Sequence, residues 1–408
     1  MVHLRWPAAG EKLEMQNDPT NSGRWLWAIP LGYSEEGSFW VRDGGLVCLG
    51  FRMLGIDARF VALGQPGERT DVPLITCPLE QMREAAWWKQ WNVEGVLLNS
   101  WASPRYEPIA RAIKNAGLRV ILMLDNEGIV SPHVWAWRYL QQKYFIEKDG
   151  RKRFSACRAI LKTMAASLRV RHAGTIRHLE HAELIVLPSP LAQERYSHYL
   201  QAMKRGDLIS RLRFAPYAVV KEMRYESATA KKPIIISVGR WESPQKNSPL
   251  LLRVLEYVLK VRPQYSARII GSGSEIVEGL AQRLQPDCRT RIEIMGRVDH
   301  AKLPAHYSES RILLSTSRYE SFLIAAGEAL CCGCSVVGDS RIATMPYFAG
   351  LNSGTTSPDS VVENLGKAVL TEINAWQSGQ RDPVQISRAW KARLDPDRVA
   401  EALLKLLQ

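Results

Sequence analysis

The sequence predicts an α/β protein built from two Rossmann-like, doubly wound domains that face a central cleft. Three observations carry this. The chain has 408 residues, enough for two ordinary domains and too many for one compact core. Short apolar runs alternate with amphipathic stretches, the pattern of parallel strands covered by helices on both faces. That series also occurs twice, interrupted near the middle by a segment with little apolar periodicity.

In the first series, Trp25–Ile29 reads as a strand, followed by a polar, glycine-rich loop to Asp43 and a helix from Gly44 to Met53. Ala58–Leu63, Gly95–Asn99, Arg119–Leu124 and Leu184–Leu187 read as further strands, with a helix over Ile109–Asn115. The aperiodic segment Ala215–Lys232 reads as the hinge. The second series runs Ile234–Val238 (strand), Pro249–Val261 (helix), Ser266–Ile270 (strand) and Ser274–Leu284 (helix). Ile292–Met295, Ile312–Ser315 and Ser335–Val337 complete its strands. Asp395–Leu407 is an amphipathic helix behind an Asp-Pro-Asp start signal. The expected domains are 1–220, completed by a C-terminal helix over about 390–408, and 233–389. Ligands in such folds bind at the carboxyl ends of the strands.

Composition narrows the function. With 46% hydrophobic and 23% charged residues the chain is of the soluble globular type, and no apolar run approaches a membrane span. Glu11 and Glu14 stand where a signal peptide would be apolar, so a cytoplasmic location, with peripheral contact at the inner membrane face, is the expectation. Seven cysteines show no zinc spacing, and Cys331, Cys332 and Cys334 read as buried thiols. Asp395-Pro-Asp397 resembles a metal-binding Asp-x-Asp but reads as a helix cap, and no metal requirement is expected. The net charge is +13, and nine of those charges fall in one stretch. Between Arg138 and His178 stand eleven Lys or Arg against Glu147 and Asp149. A stretch of one sign suits an anionic membrane surface or an anionic acceptor. It lacks a nucleic-acid-binding motif, so nucleic acid is not the expected partner. Ten of the 13 Trp precede residue 138, where packing and sugar stacking are both open readings.

Four motifs carry chemistry. In STSRYESFLIAAGEALCCGCSVV, Glu320 precedes a helix that Ser321 can cap, and Glu328 lies inside it. Eight residues at about 1.5 Å rise would separate the carboxylates by about 12 Å. Between them the helix N-terminus offers free N–H groups to a phosphate. In VGRWESPQKN, Arg240 and Lys246 follow Gly239 at a strand–loop–helix junction, where two cations can neutralise a diphosphate. IIGSGSE brings Gly271 and Gly273 to the end of a strand, a weak signal alone. MGRV places Arg297 and Val298 after another strand.

In this order and spacing the motifs resemble the family 4 retaining glycosyltransferases of GT-B fold, closely over Pro233–Asp339 and loosely before it. The resemblance implies that Arg240 and Lys246 hold the donor diphosphate, with Glu320 on hydroxyls of the donor sugar. Glu328 would take the nucleotide ribose, and the backbone at Arg297–Val298 would meet the base. Ser321, Phe322 and Leu323 would lie beside the donor, and Gly44 and Gly45 would face its phosphate across the cleft. Two departures stand out. Leu323 occupies a position where the family usually has glycine. Asp125 and Asn126 stand where a histidine is often found, with His133 the nearest imidazole and a candidate for the sugar side. The implied activity is metal-independent, retaining transfer of a hexose-type sugar, in cell-envelope or exopolysaccharide biosynthesis. The donor is a nucleotide sugar acting as co-substrate, UDP-sugar ahead of GDP-sugar, with no cofactor. The acceptor is a glycan or lipid-linked intermediate. The alternatives are glycosylation of a soluble small molecule and a non-catalytic relative that binds sugar nucleotides or polyanions.

Overall fold

A computed structural model describes residues 23–32, 43–69, 73–130, 134, 137–138 and 168–408. These divide into two compact units. The first contains the described residues up to Val130, with Ser167–Val220 and Arg393–Gln408, and the second contains those of Ser131–Ala166 and Lys221–Ala392.

The first unit carries an eight-stranded sheet. Its strands are β1 (Arg24–Gly32), β2 (Asp57–Leu63), β3 (Gly67–Arg69), β4 (Leu74–Cys77), β5 (Gly95–Asn99), β6 (Arg119–Met123), β7 (Leu184–Leu187) and β8 (Leu212–Phe214). Their order is β3-β4-β2-β1-β5-β6-β7-β8, all parallel except the β3–β4 edge pair. Every residue of β5 and of β7 is buried, which is why both read as unbroken apolar runs. The C-terminal helix Pro396–Leu407 lies against Asp43–Met53 of the same unit. A Cβ at Gly50 would come within 2.0 Å of the Pro396 carbonyl, so this contact is backbone to backbone.

The second unit carries six parallel strands: β9 (Lys232–Val238), β10 (Ser266–Ile270), β11 (Ile292–Gly296), β12 (Ser310–Leu314), β13 (Ser335–Asp339) and β14 (Gly354–Ser357). The order β11-β10-β9-β12-β13-β14 is the doubly wound order 3-2-1-4-5-6. Ile235, Ile269 and Ile312 of the sheet pack under Leu251, Leu255 and Val258 of the Ser248–Val261 helix and Val369 of Val362–Gln377. Chain order reverses between β9 and β12, which opens a crevice at their carboxyl ends.

All ten predicted strands are present, most within two residues of the expected ends. Four go unread: β3, β4, β8 and β14. They are edge strands or next to an edge, and β3 (GER) and β14 (GTTS) carry no apolar alternation to betray them. The helix expected over Ser274–Leu284 stops at Ala281, and a separate short helix starts at Pro286. One domain expectation is corrected: Arg138, assigned with residues 1–220, groups with the second unit, where its guanidinium stacks 4.0 Å from the Tyr319 ring centroid. Among the described residues no helix is long and apolar enough to cross a membrane.

Candidate functional site

Gly239, Arg240, Lys246 and Glu320 of the predicted donor side lie in the two loops at the β9–β12 crevice. β9 ends at Val238, and the loop Gly239–Asn247 leads into the helix from Ser248. β12 ends at Leu314, and the loop Ser315–Leu323 leads into Ile324–Cys331. The two loops are sewn together. Arg318 N–H donates to the Gln245 carbonyl at 2.8 Å, Gln245 Nε2 to the Tyr319 carbonyl at 2.7 Å, and the Thr316 hydroxyl to the Lys246 carbonyl at 2.9 Å.

This stitching sets one side-chain pair. Lys246 Nζ donates to Glu320 Oε1 at 2.6 Å, and both side chains are largely buried, at 15% and 9% exposure. A hydrogen-bonded ion pair at this depth is screened less than a surface pair. Arg240, in the same loop as Lys246, is exposed. Among the described residues its guanidinium has no side-chain partner, which leaves it free for an anion. A cavity beside the pair is lined by Val238, Trp241, Lys246, Thr316, Leu323 and Ala325.

Glycines are needed where the loops converge. Gly271 lies at φ +138°, and a Cβ there would stand 1.7 Å from the Gly239 carbonyl oxygen, so no other residue fits. Trp241 N–H donates to the Ser272 carbonyl at 2.8 Å and Gly271 N–H to the Gly296 carbonyl at 2.8 Å, joining the ends of β9, β10 and β11. The helices that start at Ser248, Ser274 and Ile324 are each preceded by a left-handed residue: Asn247 (φ 54°), Gly273 (φ 75°) and Leu323 (φ 60°). For Leu323 the conformation costs about 1–2 kcal/mol. Such strain recurs where a site dictates the backbone.

Here the sequence expectation for Ser321 is corrected. The helix starts at Ile324, two residues later than a cap at Ser321 would place it, and Leu323 is its N-cap with no side-chain cap bond. Phe322, 1% exposed, is drawn into the core against Phe348 with ring centroids 5.1 Å apart, and this forces the turn at Leu323. Glu320 therefore lies outside the helix, and the carboxylates are not eight helical residues apart. Glu328 is 5% exposed, with both oxygens engaged. His300 Nε2 meets Oε1 at 2.8 Å and the Tyr307 hydroxyl donates to Oε2 at 3.1 Å. Sequence reasoning missed both partners, although His300 follows MGRV by two residues. Arg297 is exposed and Val298 half-buried after β11.

In the first unit, Gly44 and Gly45 are buried in the first turn of Asp43–Met53, and a Cβ at Gly44 would strike the Trp27 indole at 2.1 Å. Asp125 and Asn126 follow β6. Asp125 Oδ2 accepts from Trp101 Nε1 at 3.2 Å, and Asn126 Nδ2 donates to the Tyr196 hydroxyl at 2.9 Å. Asn126 Oδ1 also accepts from the Gly128 N–H at 2.7 Å, so this side chain holds its own loop. His133 and most of the basic stretch after Arg138 lie outside the described residues. Cys331, Cys332 and Cys334 are buried free thiols, and burial raises the pKa of Cys332 and Cys334.

Residues 232–373 match the family described as "Glycosyl transferases group 1". The match spans all of β9–β14 and both switch-point loops, and so contains Gly239, Arg240, Lys246, Glu320 and Glu328. Two curated relatives are similar over parts of the chain. An uncharacterized 41.2 kDa protein in the cps region of Klebsiella pneumoniae is 31% identical over 150 residues, 37% of this chain and 38% of that protein. A phosphatidylinositol N-acetylglucosaminyltransferase component from Arabidopsis thaliana is 27% identical over 135 residues, 32% of this chain and 30% of that protein. The chain thus spans about a third of the length of these relatives. Among solved structures, Anabaena Alr3699/HepE in complex with UDP superposes with a TM-score of 0.62 at 16% identity, covering 94% of this chain and 99% of that one. The two Rossmann-like units form a GT-B fold.

Proposed function

We propose that the chain is a family 4 retaining glycosyltransferase, which moves a hexose-type sugar from a nucleotide-diphosphate sugar to a glycan or lipid-linked acceptor. The observation that carries the reading is the buried Lys246–Glu320 pair, with an exposed Arg240 in the same loop that has no side-chain partner among the described residues, at the switch point of the unit that matches group 1 glycosyl transferases. UDP is the favoured nucleotide, in line with a structural neighbour that holds it.

Transfer breaks the bond between the sugar's anomeric carbon and the donor phosphate oxygen and forms one to the acceptor hydroxyl oxygen. As that bond breaks, its electron pair stays on the phosphate oxygen and negative charge builds on the nucleoside diphosphate, which then takes up the acceptor's proton. Arg240 and Lys246 are placed to meet that charge, and fixed cations of this kind lower the barrier without reorganising. Glu320, accepting from Lys246, holds the ammonium in place and keeps lone pairs for donor hydroxyls. Retention follows when the acceptor attacks from the face the diphosphate leaves. In the first unit, Gly44 and Gly45 are proposed to face the phosphate, and Asp125 and Asn126 the sugar side.

Thermal shift with UDP-, GDP- and ADP-sugars tests the donor. A true donor at a hundredfold excess over Kd stabilises the native state by about 2.7 kcal/mol, and no shift with any of the three defeats the reading. Donor hydrolysis by the native chain and by Glu320→Ala tests the site, because equal rates would remove Glu320 from it. The anomeric configuration of the product, read by NMR, tests retention.

A further inference from the structure

Glu328 is held in a way that its expected task, accepting hydroxyl hydrogen bonds from a ribose, does not explain. Three separate elements converge on one buried carboxylate. Glu328 lies in Ile324–Cys331, Tyr307 in Leu303–Glu309, and His300 in the short turn His300–Lys302 after β11. Tyr307 is fully buried, and burial, followed by the charge and hydrogen bond of Glu328, raises its pKa well above the ordinary phenol value. It is therefore a fixed neutral donor. His300 differs because its side chain is 32% exposed and can exchange protons with solvent. A carboxylate accepts only, so Nε2 carries the proton in this contact. When the ring is neutral this hydrogen bond can persist, and what changes is the charge.

Each carboxylate oxygen has two acceptor directions, and His300 and Tyr307 occupy one on each. The second direction on each oxygen remains for a ligand's hydroxyl groups. Two such acceptors on a carboxylate that cannot rotate suit a vicinal diol. We propose that His300 is a positioning residue for the nucleotide: with Tyr307 it fixes the Glu328 carboxylate, and its proton switches the affinity for the donor.

The inference rests on the donor-site reading above and adds a regulation to it. Burial lowers the pKa of His300, but the Glu328 hydrogen bond and charge, joined by Asp299 and Glu222, outweigh that and raise it above 6.5. The groups around the ring are thus Glu328 and Tyr307 on the two helices, Asp299 in its own turn and Glu222 ahead of β9. As pH rises, the cation is lost and Glu328 becomes an unbalanced negative charge in a site that must accept an anionic diphosphate. Affinity should therefore be high below the raised pKa and fall above it.

Calorimetry of UDP-glucose and of GDP-mannose tests this, because their diphosphates do not titrate near neutrality. The native chain should lose about tenfold in affinity between about pH 5.5 and about pH 8, as the ion pair becomes a neutral imidazole beside an uncompensated carboxylate. His300→Gln, which keeps an N–H donor without the proton switch, should be flat at the weaker value. Tyr307→Phe should bind more weakly at every pH and keep the step. KM should follow these changes while kcat stays constant. A His300→Gln profile that keeps the native step overturns the inference. Failure of the native chain to bind UDP-glucose, GDP-mannose or an ADP-sugar at all defeats the donor reading, and the inference with it. NMR titration of the His300 ring separates the two failures. A ring pKa unchanged by Glu328→Gln would show that the pair is not coupled, whatever the nucleotide does.

Discussion

The carboxyl ends of the two sheets make an instructive contrast. Both sheets reverse chain order at a central strand, between β1 and β5 in one unit and between β9 and β12 in the other, so topology gives each a crevice. At the ends of β5 and β6 the side chains close on one another through hydrogen bonds. Ser100 Oγ meets His178 Nε2 at 2.8 Å with both residues fully buried, Trp101 donates to Asp125, and Asn126 donates to Tyr196. At the ends of β9 and β12 the corresponding positions hold an ion pair and an exposed guanidinium with no side-chain partner among the described residues. Topology supplies the crevice, and residue chemistry decides whether its side chains pair chiefly with one another, with Asn99 Oδ1 and His178 Nδ1 left over in the first unit, or include a cation open to an anion.

The largest expected effect strikes the charged crevice. Lys246→Met should lower kcat/KM by about 10²–10³-fold, as the loss of one fixed transition-state donor does. It should also destabilise by about 3–5 kcal/mol, because Glu320, 7% exposed, would be left as an uncompensated buried charge. Asn126→Ala should cost about 1–3 kcal/mol through the orphaned Tyr196 hydroxyl and the lost Gly128 contact. Steady-state rates and denaturant melts on both variants decide the contrast. It breaks if Asn126→Ala leaves stability unchanged, or if Lys246→Met leaves turnover unchanged while remaining folded.

Next in size is the convergence of strand ends beneath the site. Gly271→Ala puts a methyl group 1.7 Å from the Gly239 carbonyl and must displace a loop. A loss of about 3 kcal/mol or more is expected, together with weaker donor binding, since the Gly239–Lys246 loop would have to move. A variant of native stability would show that the loops have more freedom than their hydrogen bonds indicate.

The smallest effects, and the sharpest in sign, come from the two histidines. His178 is buried, and desolvation followed by the nearby charge of His181 lowers its pKa to about 3. Its folded value lies below the ordinary 6.5, so the unfolded chain takes up the proton first. Stability from this group is complete above pH 6.5 and is lost as pH falls from there towards 3, by at most about 1.4 kcal/mol per pH unit. His300 is raised, so its contribution is complete below pH 6.5 and is lost as pH rises through the raised value. Melting curves across pH should show His178→Gln flattening the acid side and His300→Gln the neutral-to-basic side, the second by less because that ring is partly exposed and screened. Matching slopes in the two variants would contradict the different environments of the two rings.

The amino-acid order by itself determined the parallel strands and the identity of the charged groups. A strand buried on both faces must be an apolar run, and Arg240, Lys246 and Glu320 stand next to such runs. Their places at strand ends were therefore readable before any packing was known. Polar edge strands such as β14 were not readable, because an edge needs only one partner and no apolar alternation. The tertiary structure decided the rest. Ser321 looked like a cap, yet burial of Phe322 against Phe348 moved the helix start to Ile324 and put Leu323 in the left-handed region. Glu328 looked like a free acceptor, yet it is shared between His300 and Tyr307, residues 28 and 21 positions away. Strand and charge are local properties written in neighbouring residues. Which hydrogen-bond donor meets which buried carboxylate depends on how three separate elements pack, and only the folded chain brings them together.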